Sequence, residues 1–178
     1  MTEPTPSEPA DLVAEFYAPL VRPLGNLVIL FAQTEATWLR LVATLTDCTE
    51  AEAQGYLLKP VTEVKEKIMP LAQTSAIEPY ELQELPERIE NFYGDRQRRN
   101  RLIHDDWYVR LLDAPGTPAT RGVRRKDGVV VWGDAAPDDV WSLARRFCEH
   151  KSFFSGVVHV LQKQKDAESV PDDLPEEC

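Results

Sequence analysis

Apolar residues that recur every three or four positions constrain the fold of this chain most. Such a stripe forms one face of an α-helix. The longest stripe, which includes Leu27, Phe31 and Trp38, predicts a helix over about residues 19–46. Two further stripes predict helices from Pro79 to about His104 and over about residues 137–163. A chain with this pattern is expected to fold mainly as packed helices.

Local signals predict the shorter elements. Thr49 and Glu52 have the spacing of a capping box, which predicts a short helix that runs toward Leu58. Another helical segment is expected to follow Pro60, and Pro70 is expected to end or kink it. Proline lacks the amide hydrogen of a helical residue, so Pro19 and Pro23 are expected near the start of the first long helix.

The apolar period changes between Trp107 and Trp132. Short β-prone runs flank Lys126-Asp127-Gly128, which is a typical hairpin turn signal. The sequence therefore predicts a mainly all-α protein. It would be a four-to-five-helix bundle with a small β-hairpin insert, at about residues 107–133, between the last two long helices.

Both ends of the chain are acidic. Residues 1–15 and 164–178 are predicted to be a disordered arm and a disordered tail around a domain at 16–163, because they contain few apolar side chains. The amino terminus lacks the basic start of a secretory signal, and no apolar run is expected to span a membrane. Three cysteines form a sparse, odd set, which is typical of a reducing compartment. A cytoplasmic protein without membrane contact is predicted.

Charge divides unevenly between the two halves of the domain. Residues 16–95 contain 6 bases and 12 acids, whereas residues 96–165 contain 14 bases and 8 acids. A basic second half is compatible with a polyanionic partner such as RNA, although the whole chain has a net charge of −10. Composition equally allows the two halves to attract each other.

The segment DRQRRNRLIHDDWY, residues 95–108, is the candidate for chemistry. On a helix, Asn100 and His104 share a face and Arg101 is adjacent. Asp105 or Asp106 could hold the His104 imidazole in one tautomer. A histidine near neutral pKa can exchange a proton with a ribose 2′-hydroxyl or a leaving 5′-oxygen, and arginine can hold the phosphate between them. The alternative is structural, because basic residues at a helix carboxyl terminus also complement its dipole.

No other chemical motif is recognisable. The histidines and cysteines lack metal-ligand spacing, and no phosphate-binding glycine loop is present, so neither a metal nor a cofactor is expected. His150 and His159 are predicted to be ordinary, partly exposed histidines.

Arg99-Asn100-Arg101-Leu102-Ile103-His104 resembles the R-x4-6-H motif of HEPN (higher eukaryotes and prokaryotes nucleotide-binding) domains. By this resemblance Arg99 would be the motif arginine, Asn100 its polar neighbour and His104 the motif histidine. Arg98 also satisfies the allowed spacing, so the identity of the motif arginine stays open.

The resemblance implies a homodimer whose two motifs face each other, and a metal-independent endoribonuclease. Many such proteins are toxins or abortive-infection effectors, so an antitoxin or regulatory protein is a possible partner. Other HEPN domains bind RNA, a nucleotide or a protein without cleavage, which is the alternative. Arg98, Arg101, Arg124 and Arg125 are the candidate substrate-binding residues, the last two because bases beside aromatic residues can grip single-stranded RNA.

Overall fold

A computed structural model describes most of the chain. It gives the backbone of residues 9–104, 107–109, 118–120, 124–126, 129–131 and 137–168, and the side chains of residues 18–104 and 137–168. Most of these residues are helical, so the predicted mainly all-α class is confirmed. The helices are α1 (Pro9–Thr46), α2 (Glu50–Ala53), α3 (Val61–Gln73), α4 (Pro79–His104) and α5 (Pro137–Glu168), with a 3-10 helix at Gln54–Leu58.

Prolines do not limit the helices as predicted. Helix α1 begins at Pro9, so Pro19 and Pro23 lie well inside it, and Pro70 lies inside α3 with three helical residues after it. The prediction that Pro19 and Pro23 lie near the start of the helix was wrong because it weighed only the lost backbone hydrogen bond, and Pro70 does not end α3. Buried side chains on the same helices, such as Leu20 and Ile68, stabilise the helical conformation through packing.

The helices extend into both terminal segments. Helix α1 includes residues 9–15 of the predicted arm, and α5 includes residues 164–168 of the predicted tail. Residues 1–8 and 169–178 lie outside the described part of the chain. The division into arm, domain and tail therefore stays a prediction.

Four three-residue strands lie between α4 and α5. They are β1 (Trp107–Val109), β2 (Pro118–Thr120), β3 (Arg124–Lys126) and β4 (Val129–Val131). Strand β1 pairs antiparallel with β2, and β3 pairs antiparallel with β4 so that Lys126 is opposite Val129. The predicted turn at Asp127 and Gly128 lies outside the described residues, as does most of the segment. These short pairs do not establish the hairpin insert, which stays a prediction.

The chain divides into two compact units. The first unit comprises residues 1–31 and 95–147, and the second comprises residues 32–94 and 148–178. In the second unit, the Trp38 ring lies 5.2 Å from Phe154 and 5.8 Å from Phe92, measured between ring centroids. These three side chains are fully buried, so α1, α4 and α5 share an aromatic core there.

A second set of contacts closes the core of the second unit. The Tyr93 hydroxyl donates a hydrogen bond of 2.7 Å to the Tyr56 carbonyl oxygen, and both residues are buried. This bond joins α4 to the 3-10 helix across 37 residues of sequence. Lys65 on α3 contacts Glu90 on α4, with 2.7 Å between Nζ and Oε1.

The predicted capping box begins α2. Glu52 N donates to Thr49 Oγ1 at 3.2 Å, and Thr49 N donates to Glu52 Oε2 at 2.9 Å. The backbone hydrogen bond from Thr49 holds the pKa of the Glu52 carboxyl below its ordinary value of 4.5. These hydrogen bonds confirm the predicted capping box. It could be predicted from the sequence because it depends on two residues only three positions apart.

Helix α1 also meets the requirements of a membrane span by length and composition, over Ala18–Thr46. The sequence analysis did not identify such a run. Of the qualifying window 44% is buried inside the protein, and the core helix of a soluble protein meets the same requirements of length and composition. The predicted cytoplasmic location stays a prediction.

Candidate functional site

The carboxyl-terminal end of α4 contains the arginine-rich segment selected from the sequence. Within it, Arg98, Arg101 and His104 are exposed, whereas Arg99 and Asn100 are half-buried. The helix explains this division, because residues four apart share a face. Arg99 follows the buried Asp95 by four positions and therefore lies on the inward face of α4 in the first unit.

Arg99 rests on an aromatic ring. Its guanidinium carbon lies 4.3 Å from the centroid of the Phe31 ring, which α1 contributes. Arg99 Nη1 also donates a hydrogen bond of 3.0 Å to Asn100 Oδ1. The Phe31 ring is itself held edge-on by Phe147 of α5, at a centroid distance of 5.2 Å. Three helices therefore define the orientation of the Arg99 side chain.

A partly buried ion pair lies beside this arrangement. Arg146 Nε on α5 donates to Asp95 Oδ2 on α4 at 2.8 Å. The Asp95 side chain is 9% exposed and that of Arg146 is 36% exposed. The pair therefore joins α4 to α5 one helical turn before Arg99.

His104 lies on a different face from Arg99. Five residues correspond to a rotation of about 140° around a helix, so the two side chains leave α4 in different directions. His104 is the last residue of α4 and is exposed, and its side chain makes no hydrogen bond to the residues whose side chains are described. The structure brings Arg99 to Asn100, and His104 shares the face of Asn100 rather than that of Arg99.

Other predicted residues lie where their side chains are not described. Asp105 and Asp106, which could orient the His104 imidazole, are outside the described residues. Arg124 and Arg125 belong to β3, where the backbone pairs with Val131 and Val130. Their predicted role in binding substrate stays a prediction.

The two histidines of α5 differ from each other. His159 is exposed, as expected, but His150 is only 3% exposed. The His150 ring stacks on Phe154 with a centroid distance of 6.2 Å and an angle of 17° between the rings. The prediction of partial exposure for His150 was wrong because its planar ring packs against Phe154, on the buried apolar face of α5.

A cleft of about 490 Å³ lies in the second unit, away from the arginine-rich segment in the sequence. Its wall includes Asp47, Glu52 and Lys67. Asp47 contacts Lys165 at 2.9 Å, and Glu52 belongs to the capping box, so the chain itself binds both carboxylates. Among residues 18–104 and 137–168, no three histidine, cysteine or acidic side chains cluster closely enough to hold a metal ion.

Sequence reasoning missed Phe31 and Asp95 as parts of the candidate site. Phe31 was assigned only to the apolar stripe of α1, and its contact with Arg99 spans 68 positions of the sequence. Asp95 had one usable signal, its position four residues before Arg99. Comparisons with protein-family models, curated proteins and solved structures found no match. Membership of the HEPN family therefore stays a prediction.

Proposed function

We propose that this chain is a HEPN-like, metal-independent endoribonuclease, with His104 as general acid or base and Arg99 as the phosphate-binding residue. The observation that supports it best is the end of α4. There, an exposed imidazole lies one helical turn after a half-buried Arg99–Asn100 pair held on Phe31. Solvent access lets His104 reach a substrate, and restraint of Arg99 lowers the entropy lost on binding.

The proposed reaction uses the 2′-hydroxyl of RNA as nucleophile. One imidazole takes the hydroxyl proton as O2′ bonds to phosphorus, and the bond from phosphorus to the 5′-oxygen breaks. A second imidazole gives a proton to the leaving 5′-oxygen, so the products are a 2′,3′-cyclic phosphate and a 5′-hydroxyl. Arg99 stabilises the charge that builds on the other phosphate oxygens.

A homodimer would supply the second imidazole from its other copy. Exposed Arg98 and Arg101 would contact neighbouring phosphates. Arg124 and Arg125 would add contacts from a β-hairpin insert at about residues 107–133. Such an enzyme would act in the cytoplasm as a toxin or phage-defence effector, with an antitoxin or regulatory protein as partner. Sedimentation of the purified chain tests the dimer, and growth arrest on expression tests the toxin.

The decisive assay is cleavage of end-labelled RNA in excess EDTA, with DNA of the same sequence as the negative substrate. We expect His104→Ala to lower the cleavage rate by about 100-fold or more. His159→Ala is the matched control, because it removes another exposed histidine, from α5, and should leave the rate unchanged. Cleavage by His104→Ala at the wild-type rate would refute the assignment.

The same assay identifies the motif arginine. Arg99→Ala should lower the rate by about 100-fold, because removal of a preorganised charge at the reacting phosphate has this effect in other enzymes. Arg98→Ala removes an exposed cation and should mainly weaken binding. A larger loss of rate in Arg98→Ala than in Arg99→Ala would reverse the assignment.

A second candidate function is a non-catalytic module that binds RNA, a nucleotide or a protein. The observation that favours it is the rotation of about 140° between Arg99 and His104, since a substrate phosphate must reach both groups for cleavage. In this case wild type and His104→Ala would bind RNA equally and neither would cleave it. Loss of affinity with added salt would show that phosphates are contacted.

A further inference from the structure

We propose that the cleft in the second unit binds a small organic anion, namely a carboxylate with an apolar chain. Lys67 and the Tyr56 hydroxyl would hold the charged group, and Leu45 and Leu71 would contact the chain. Every residue of this site belongs to the second unit, whereas the arginine-rich segment belongs to the first. The proposal is therefore independent of the proposed ribonuclease function.

The cleft has the size and the lining of a small-molecule site. Its volume of about 490 Å³ is within the range of about 300–1,000 Å³ that such sites occupy. A smaller cleft of about 200 Å³ shares Leu45 and Leu71 with it, so the two form one groove with a leucine wall. Leu71 is 37% exposed, and a ligand with an apolar chain would remove this surface from water.

Lys67 supplies a cation to the cleft. Its Nζ lies 5.4 Å from the centroid of the Tyr56 ring. Glu63 precedes Lys67 by four residues, which is the favourable order for an ion pair on a helix, yet Lys67 makes no ion pair with any residue that the structure describes. By contrast, Lys65 and Lys165 contact carboxylates at 2.7 and 2.9 Å. The Lys67 ammonium is therefore available to a ligand.

The Tyr56 hydroxyl is the second donor. Tyr56 is 7% exposed and lines the cleft, and its hydroxyl makes no hydrogen bond to the residues whose side chains are described. A tyrosine buried to this extent usually has a partner for its hydroxyl. This oxygen is not sealed inside the protein, so a ligand in the cleft can supply the missing acceptor. The hydrogen bond from Tyr93 to the Tyr56 carbonyl, at 2.7 Å, fixes the backbone behind the ring.

The charges of the cleft favour an anion over a cation. Both carboxylates of its wall are already bound, because Asp47 Oδ1 lies 2.9 Å from Lys165 Nζ and Glu52 Oε2 accepts a hydrogen bond of 2.8 Å from Thr49 Oγ1. The two remaining groups, an ammonium and a phenolic hydroxyl, can both donate to an acceptor. One ammonium balances one carboxylate, and the leucine wall suits an alkyl chain better than a strongly hydrated ion such as phosphate.

An NMR titration of the full chain with hexanoate, acetate, 1-hexanol and inorganic phosphate tests the proposal. We expect hexanoate to shift the methyl resonances of Leu45 and Leu71, with a Kd of about 1 mM for so small a ligand. Acetate lacks the chain, hexanol lacks the charge and phosphate lacks the apolar part, so each should bind at least about tenfold more weakly. Absence of shifts with hexanoate at about 20 mM would overturn the proposal, as would equally tight binding of hexanol or phosphate.

Variants identify the groups that hold the carboxylate. Lys67→Gln should weaken hexanoate binding about tenfold, as expected for one lost charged hydrogen bond, and Tyr56→Phe should weaken it about threefold or more while it keeps the ring. Lys163→Gln is the matched control, because it removes an exposed lysine of α5 that lines neither cleft, and it should leave the Kd unchanged.

The same spectra show whether each variant is folded, and Lys67 is exposed, so its replacement should leave the fold intact. An unchanged Kd in Lys67→Gln would overturn the assignment of the site. An equal loss of affinity in Lys163→Gln would also overturn it, because it would show a general attraction of the anion to lysines rather than binding in the cleft.

Discussion

Addition of one methyl group at Gly156 tests the packing of α5 against α4. A Cβ atom at Gly156 would lie 3.3 Å from Glu81 Oε1, which is closer than ordinary van der Waals contact. At Gly94, also inside a helix and in the same unit, a Cβ would meet nothing within 4 Å. The two glycines therefore form a matched pair that differs in the space available to an added methyl group.

The expected magnitudes follow from two opposing terms. Replacing glycine by alanine inside a helix stabilises it by about 0.5–1 kcal/mol. Overpacking a buried site costs about 1–3 kcal/mol. Glu81 is 6% exposed, so its carboxylate cannot move into water without opening the packed site. Gly94→Ala should therefore stabilise the protein, and Gly156→Ala should be about 1–3 kcal/mol less stable than Gly94→Ala.

Thermal and urea unfolding measure this difference. For a chain of this size about 1 kcal/mol corresponds to about 2–4 °C in Tm. In a Glu81→Ala background the added methyl group has room, so Gly156→Ala should regain the benefit seen at Gly94. Equal stabilisation by Gly94→Ala and Gly156→Ala in the wild-type background would refute the reasoning.

Three further predictions concern the core and the cap. Phe154→Ala should destabilise the protein by about 3–5 kcal/mol, because it leaves a cavity at the centre of a buried aromatic cluster. Phe153→Ala, at the neighbouring half-buried position, should cost much less, and urea unfolding measures the free energy of unfolding of both variants. Thr49→Ala should cost about 1 kcal/mol in the same assay through loss of the cap, and an unchanged midpoint would contradict the role of the box. Since the folded pKa of Glu52 is below its ordinary value of 4.5, its contribution is present above that pH and is lost as pH falls through the lowered pKa, so Glu52→Gln should flatten the acid limb of a stability–pH profile.

Local patterns predicted the elements that depend on neighbouring residues. The stripe around Trp38 predicted α1, and the spacing of Thr49 and Glu52 predicted the cap of α2, because both depend on residues one or two turns apart. The start of α1 at Pro9 could not be predicted from proline chemistry. Its stability depends on partners from distant parts of the chain, such as the packing of Phe31 against Phe147.

The candidate site was only partly predictable for the same reason. Adjacency in sequence placed Asn100 next to Arg99, and the hydrogen bond between them agrees with that. The ring beneath Arg99 and the cation on Asp95 come from α1 and α5, and no spacing within residues 95–108 encodes them. The burial of His150 was missed because one polar residue within an apolar stripe does not show that its ring stacks on Phe154.

Pro86 lies inside α4, 13 positions before Arg99. Because proline has no amide hydrogen, the Leu82 carbonyl loses its regular helical partner, and an isolated peptide of residues 79–104 would be a poor helix in water. The geometry of Arg99, Asn100 and His104 thus belongs to the folded protein. A linear peptide of this segment would therefore have the same sequence but would not hold these three side chains in the same geometry.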